Sequence, residues 1–300
     1  MAKAPTNPTS GILLVDKPQG ITSHDAVSRT RKAIGTRRVG HAGTLDPMAT
    51  GLLVLGVNGA TRLLTYVVGL DKEYLATIRL GAATTTDDAE GEFGERSDVS
   101  AITDAAIADG VAALTGPILQ RPSSVSAIKV DGRRAYTLVR EGEDVVLAER
   151  PVTIVEFEVI EIRHVGTDWL DVDVRVVCTS GTYIRALARD LGDSLGVGGH
   201  LTVLRRTRIG PFTVAGASEL DGDLAARMLA PADVAAQLFE RVDLSHELAA
   251  DLSHGKRIGL PATGPDTLAA IAPDGRLVGL VKNVGGRAHV LVNFPPEVSA

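Results

Sequence analysis

Residues 40–55, GHAGTLDPMATGLLVL, carry a single carboxylate, Asp46, on a loop made of residues that break or turn a chain. Gly40, Gly43, Pro47 and Gly51 surround it, and His41 and Thr44 are among the other side chains there able to make polar contacts. Glycines allow a substrate backbone to come close, and loops placed by a rigid scaffold carry function disproportionately often. Asp46 is therefore the leading candidate for a catalytic group. It could equally cap a turn, since Asp-Pro is a common turn initiator. His41 reads as a base, a stacking surface or a satisfied loop histidine. Tyr74, at a strand start beside Lys72, reads as packing or as part of a site. Arg185 falls in the first turn of a helix, where the helix dipole disfavours a cation, and a buried carboxylate partner would account for it. Tyr183 belongs to the same GTYIR segment, which is either a helix-start anion site or plain capping.

Other chemistries are excluded. There is no GxxxxGK[ST] phosphate loop, no GxGxxG after a strand, no GxSxG elbow and no HExxH pair. Cys178 is the only cysteine, which rules out an internal disulfide and a cysteine-based zinc cluster. No cofactor and no metal are expected. The net charge of −6 argues against a polyanion partner, but its distribution argues for one. Residues 1–60 hold seven basic groups, among them Lys17, Arg37 and Arg38, against three acids. Lys129, Arg133, Arg134 and Arg140 face Asp131 alone over residues 129–140, and LRRTR adds Arg205, Arg206 and Arg208. Charge segregated in this way can form a phosphate-binding face, or simply solvated surfaces.

GILLVDK is a strand stopped by Pro18, and a helix follows with Thr22 or Ser23 as N-cap and Gly35 at its exit. LLVLGV is a buried strand ending at an Asn58-Gly59 turn. KEYLATIRL alternates Tyr74, Ala76, Ile78 and Leu80 with Glu73, Leu75, Thr77 and Arg79, which is strand periodicity. The acidic TTTDDAEGEFGERSD reads as an exposed loop, and TDAAIADGVAALTG as a helix closed by Gly116 and Pro117. Residues 120–144 read as a short strand, an Asp131-Gly132 turn and a helix ending at Gly142. Val152–Ile162 and Leu170–Cys178 are long strands of a half-exposed antiparallel sheet, and GTYIRALARDLGDSLG is a helix. The fold class is α+β, with a central, mostly antiparallel mixed sheet flanked by helices. Beyond about residue 240 a short helix and strands joined by an Asp274-Gly275 turn indicate a small β-rich second domain. The polar N-terminus lacks the apolar stretch of a signal peptide, and no window approaches the roughly 18–20 apolar residues of a membrane span. A soluble, cytoplasmic protein of 300 residues is expected.

In order along the chain, DKPQGITSHDAV, GHAGTLDPMATGLL, KEY, GAATTTDDAEG, RPSSVSAIKVDGRRAY, GTYIRALARDLG and HLTVLRRTRIGPF are similar to the TruB family of bacterial tRNA pseudouridine synthases. The resemblance covers nearly all of residues 11–214. It implies a pseudouridine-synthase fold in residues 11–240 after a polar tail (1–10), with a T-loop-gripping insertion at 121–150 and a PUA-like RNA-binding domain at 241–300. It implies isomerisation of uridine 55 in the T-arm of tRNA. Asp46 then matches the catalytic aspartate, Tyr74 the tyrosine that packs on the target base and is implicated in deprotonating C5, and Arg185 the arginine that salt-bridges the aspartate. His41 helps fill the space left by flipped nucleotides, and Lys17, Thr44, Lys129, Tyr183, Arg205 and Arg206 are expected to contact substrate. One carboxylate suffices for this reaction, unlike glycoside hydrolysis with its pair. A monomer acting on tRNA without guide RNA or membrane is expected. The alternative is a non-catalytic tRNA-binding or folding chaperone using the same surface. Retention of Asp46, Tyr74 and Arg185 together argues for the enzyme.

Overall fold

The computed structural model describes residues 9–123, 129–130, 133–134, 147–166, 168–260 and 266–296. The chain forms two compact units, one from Met1–Asp46, Leu52–Val68 and Pro211–Ala300, the other from Pro47–Gly51 and Gly69–Gly210.

The first unit begins with strand β1 (Gly11–Lys17) and helix α1 (Ser23–Ile34). Thr22 is the N-cap. Its hydroxyl accepts from the Asp25 amide and the Asp25 carboxylate accepts from the Thr22 amide, so two orphan donors of the first turn are satisfied reciprocally. Gly35 closes the helix in the left-handed conformation. Strand β2 (Val39–His41) pairs antiparallel with β3 (Thr50–Val57), which also neighbours β1. The apolar run of β3 is buried throughout from Gly51 onward, as a core strand requires. The expected Asn58-Gly59 turn is the start of a 3-10 helix, Asn58–Leu63, leading into α2 (Leu64–Val68).

The second unit is built on strands β4 (Lys72–Leu80), β5 (Gly116–Gln120), β8 (Arg150–Val165), β9 (Trp169–Cys178) and β10 (Gly199–Ile209), in spatial order β10–β4–β9–β8–β5 and antiparallel throughout. The first residues of β3, Thr50 and Gly51, run parallel to Arg205 and Arg206. Gly51 has φ +100°, and a Cβ there would lie 2.2 Å from the Arg206 carbonyl oxygen, so no other residue fits. Two short strands, β6 (Lys129–Val130) and β7 (Arg133–Arg134), pair across the two positions where a turn is expected. The helix expected to end at Gly142 lies outside the described residues. Helices α3 (Asp104–Ala113) and α4 (Ile184–Ser194) complete the unit.

One face of β4 and β9 is apolar core: Ile78, Val172, Val174 and Val176 are buried. The other is a ladder of cross-strand pairs, Arg79 with Asp171 at 2.7 Å, Thr77 with Asp173 at 2.6 Å, and Arg175 with Glu73 at 2.9 Å. Arg163 also pairs with Asp173. The expected half-exposed sheet is thus present, its polar side held by ion pairs. Two expectations fail here. The helix expected to close at Gly116 and Pro117 stops at Ala113 with Leu114 as its C-cap, and those two residues instead begin β5, an edge strand where proline is tolerated. The acidic stretch after Leu80 is not simply exposed, since Thr84 and Asp88 are buried.

The rest of the first unit adds β11 (Phe212–Thr213), α5 (Pro231–Leu238), β12 (Glu240–Asp243), α6 (His246–Ser253), β13 (Thr267–Ile271), β14 (Leu277–Val284) and β15 (Arg287–Asn293). The last four strands form their own sheet in order β12–β13–β14–β15, parallel only between β12 and β13. Leu244, Leu252, Leu268, Val278 and Val281 fill its core. The first strand of this sheet, β12, begins at Glu240.

Candidate active site

In the first unit the approach to Asp46 is pegged down by its apolar residues: Ala42 and Leu45 are buried. A single hydroxyl fixes it further. Ser23, the first residue of α1, donates to the Leu45 carbonyl at 3.0 Å and accepts from the Leu45 amide at 2.8 Å. Both backbone groups of Leu45 are thus satisfied by one buried side chain, which holds the backbone directly before Asp46. Asp46 is half-buried, Thr44 exposed, and His41 half-buried at the end of β2 opposite Leu55. Ser23 is a residue the sequence offers only as an alternative N-cap. Because Thr22 takes the cap, Ser23 is available to the loop. The chain passes from the first unit to the second between Asp46 and Pro47.

In the second unit, the register places Tyr74 of β4 directly opposite Arg206 of β10. Residues two apart on a strand share a face, so Lys72 joins them. All three are buried, Arg206 to 1% exposure. Burial, aided by the charge of Arg206, drives the Lys72 ammonium down to about 8 from its ordinary 10.5. Arg205 points to the opposite face, half-buried, its Nη1 3.4 Å from the Thr50 hydroxyl. The structure thus corrects the expectation of one basic patch: Arg205 and Arg206 are separated by the strand itself. Lys17 is corrected likewise. It is fully buried, and its ammonium donates to the carbonyls of Pro18 (3.0 Å) and Ile21 (2.8 Å), bracing the DKPQG turn. Arg37 and Arg38 instead line an open cleft of ≈ 400 Å³ with Asn58, Thr61 and Arg62. The side chain of Lys129 lies outside the described residues.

Arg185 occupies the second position of α4 and is buried. Its Nη1 lies 3.2 Å from Asp88 Oδ2 and donates to the Thr86 carbonyl at 2.8 Å. The other carboxylate oxygen of Asp88 accepts from the Thr86 hydroxyl (2.6 Å) and the Glu90 amide (3.0 Å). A buried carboxylate of the kind this unusual cation calls for is therefore present. One is Asp88, in the acidic stretch for which the sequence predicts an exposed loop. Tyr183 is the N-cap of α4 and makes no side-chain cap bond. The Gln120 amide holds its backbone on both sides, accepting from the Tyr183 N–H at 2.7 Å and donating to its carbonyl at 3.0 Å. Among the described residues no group of three or more His, Cys, Asp or Glu is placed to hold a metal, and no helix is long and apolar enough to cross a membrane.

This architecture is that of the pseudouridine synthases. The chain superimposes with a TM-score of 0.71 on a structure of an H/ACA RNP bound to a substrate RNA, covering 95% of this chain and 85% of that one at 24% identity. A Cbf5-Nop10-Gar1 complex gives 0.69 at 26% identity, again over 95% of this chain and 85% of that one. Residues 31–184 match the N-terminal domain of the TruB family pseudouridylate synthases. Residues 185–242 match the C-terminal domain of tRNA pseudouridylate synthase B, and residues 239–295 that of tRNA pseudouridine synthase II. Two proteins named tRNA pseudouridine synthase B are close relatives. That of Leifsonia xyli subsp. xyli is 59% identical over 96% of this chain and 97% of its own, and that of Arthrobacter sp. 56% identical over the same shares. The chain belongs to the TruB family and is a pseudouridine synthase, an isomerase.

Proposed function

We propose that this enzyme converts uridine 55 in the T-arm of free tRNA to pseudouridine, as a cytoplasmic monomer that needs no guide RNA. The observation that carries the reading is the joint presence of three groups suited to that chemistry. They are Asp46 on a pegged, glycine-rich loop, Tyr74 buried beside Arg206, and Arg185 buried on Asp88.

The reaction breaks the N1–C1′ bond, turns the uracil and rejoins it through C5, whose proton must leave. Asp46 supplies the nucleophile or base at the sugar or C6. Arg185 supplies the positive charge that steadies this carboxylate. Tyr74 packs against the uracil and takes part in removing the C5 proton. The target uridine is flipped out of the folded loop at a cost of a few kcal/mol. Stacking on Tyr74 returns about 1–3 kcal/mol, and His41 fills the vacated space. Thr44, Tyr183, Lys129 and Arg205 are assigned to nucleotide contacts. Lys17 and Arg206, being buried, are assigned to holding the surfaces that make them. Residues 11–240 act as the catalytic domain with 121–150 gripping the T-loop, and 241–300 as a PUA-like RNA-binding domain. The basic cleft of Arg37, Arg38 and Arg62 is suited to backbone phosphates.

The experiment is tritium release from a T-arm stem-loop labelled at C5 of its uridines. One tritium released per RNA, lost when position 55 is cytidine, is the expected result. Tight binding without release would overturn the enzymatic assignment and leave a folding chaperone. Release that ignores position 55 would overturn the substrate assignment.

A further inference from the structure

One set of contacts in the second unit is not used by the chemistry above. Asp87 has a backbone φ of 60°, the left-handed region that few residues other than glycine enter. Such a residue persists when its surroundings over-determine it. Here they do. The Asp87 amide donates to the Thr84 carbonyl at 3.2 Å, and its own carbonyl accepts from Leu201 at 3.0 Å. Its Oδ2 accepts from the Ser123 hydroxyl at 2.6 Å and lies 3.2 Å from Arg189 Nη1. Arg189 also donates to the Arg121 carbonyl at 2.9 Å and pairs with Asp190 at 2.7 Å.

The arrangement is a ladder. Arg185 and Arg189 are four apart on α4, so they lie on one face a turn apart. The adjacent acids Asp88 and Asp87 hold them, one each. Ser123, 1% exposed, and Arg121 tie the chain leaving β5 to the Asp87 rung, while Gln120 clamps the start of the same helix at Tyr183. The chain that enters residues 121–150 is therefore fastened at three points to the parts that hold Arg185. Asp87 and Asp88 are adjacent in the chain, so a displacement of Ser123 that moves Asp87 reaches Asp88 through a single peptide unit.

We infer that Asp87 is a positioning residue that couples the root of segment 121–150 to Arg185, so that engagement of RNA by that segment sets the arginine for reaction. The inference rests on the T-arm reading above. Coupling through a contiguous network of this kind is typically worth roughly 5–150-fold.

Asp87→Asn keeps the size and tolerates the left-handed backbone, Asp87→Gly removes the carboxylate with no backbone strain, and Ser123→Ala removes the tether. T-arm affinity, single-turnover tritium release and melting temperature are measured for each, and for Asp87→Asn with Ser123→Ala. Each single variant is expected to slow release about 10-fold with affinity held within about twofold. The double variant is expected to be no slower than the slower single, because both changes cut one link. Unchanged release in Asp87→Asn and Asp87→Gly, or losses that multiply in the double variant, would overturn the coupling. Rates that fall only in step with affinity and melting temperature would do the same. Wild-type protein releasing no tritium would overturn the T-arm reading itself, a result distinguishable from the others.

Discussion

Replacing Asp88 by asparagine tests the ion pair behind Arg185 with the least change of shape. The two side chains are 3% and 6% exposed, and their charged atoms are 3.2 Å apart. Asparagine can still accept from the Thr86 hydroxyl and the Glu90 amide through its Oδ1. Its amide nitrogen, however, replaces the oxygen that faces Arg185 Nη1, setting donor against donor and removing a compensating charge. Breaking a buried pair by removing one partner costs about 3–5 kcal/mol. The Thr86 carbonyl, 2.8 Å from the same nitrogen, remains and offsets about 1 kcal/mol of this. At about 2–4 °C per kcal/mol for chains above 150 residues, a net 2–4 kcal/mol lowers the melting temperature by roughly 4–16 °C. Arg185 also loses one of the anchors that fix its direction, so single-turnover release falls at least about 10-fold. Thermal unfolding by circular dichroism and tritium release on the same preparations read the two effects. An Asp88→Asn protein that melts within about 1 °C of wild type and turns over at the wild-type rate would show that the Asp88–Arg185 pair has neither role.

Three further outcomes follow from particular contacts. Ser23→Ala orphans the buried N–H and carbonyl of Leu45, costing about 1–3 kcal/mol, and it should lower kcat with KM little changed; a normal kcat would show that the loop does not need this peg. Arg205→Ala should make the salt dependence of T-arm binding shallower by about 0.7–0.9 in log–log slope. Arg206→Met should leave that slope unchanged and lower stability instead, and equal slopes for both variants would contradict the division. His200 is buried, with Nδ1 2.8 Å from the Ala82 carbonyl, and burial holds it below its ordinary 6.5. The unfolded chain therefore takes up the proton first, so the stability contributed by neutral His200 is full above about 6.5 and is lost as pH falls through the depressed value. Melting temperatures of wild type and His200→Gln should converge on acidification, and a gap independent of pH would refute this.

What the sequence reveals and conceals divides by range. Helix α1 is legible because its signals are local: Thr22 and Gly35 directly flank it and Asp25 lies in its first turn. The alternation of β4 and β9 is legible for the same reason, and so is the glycine-rich Asp46 loop. The peg on that loop is not, because Ser23 and Leu45 are separated by 21 residues and meet only in the folded chain. Asp88 is hidden by its company. Eight acids against one base between residues 87 and 110 suggest solvent, and only the partner on α4 shows that this one is buried. Arg205 and Arg206 teach a different lesson. The strand period that separates them is present in HLTVLRRTRI, but counting charge along the chain ignores it. The family motifs name groups that react; the residues that hold those groups emerge from packing.

In the proposed mechanism Asp46 is the single carboxylate on which the isomerisation depends. Its most direct test is Asp46→Asn, nearly isosteric, in single-turnover tritium release from a C5-labelled T-arm, with binding to the same RNA measured in parallel. The expected result is at least a ~10³-fold loss of release with T-arm affinity retained. Release near the wild-type rate from a protein that binds normally would contradict it.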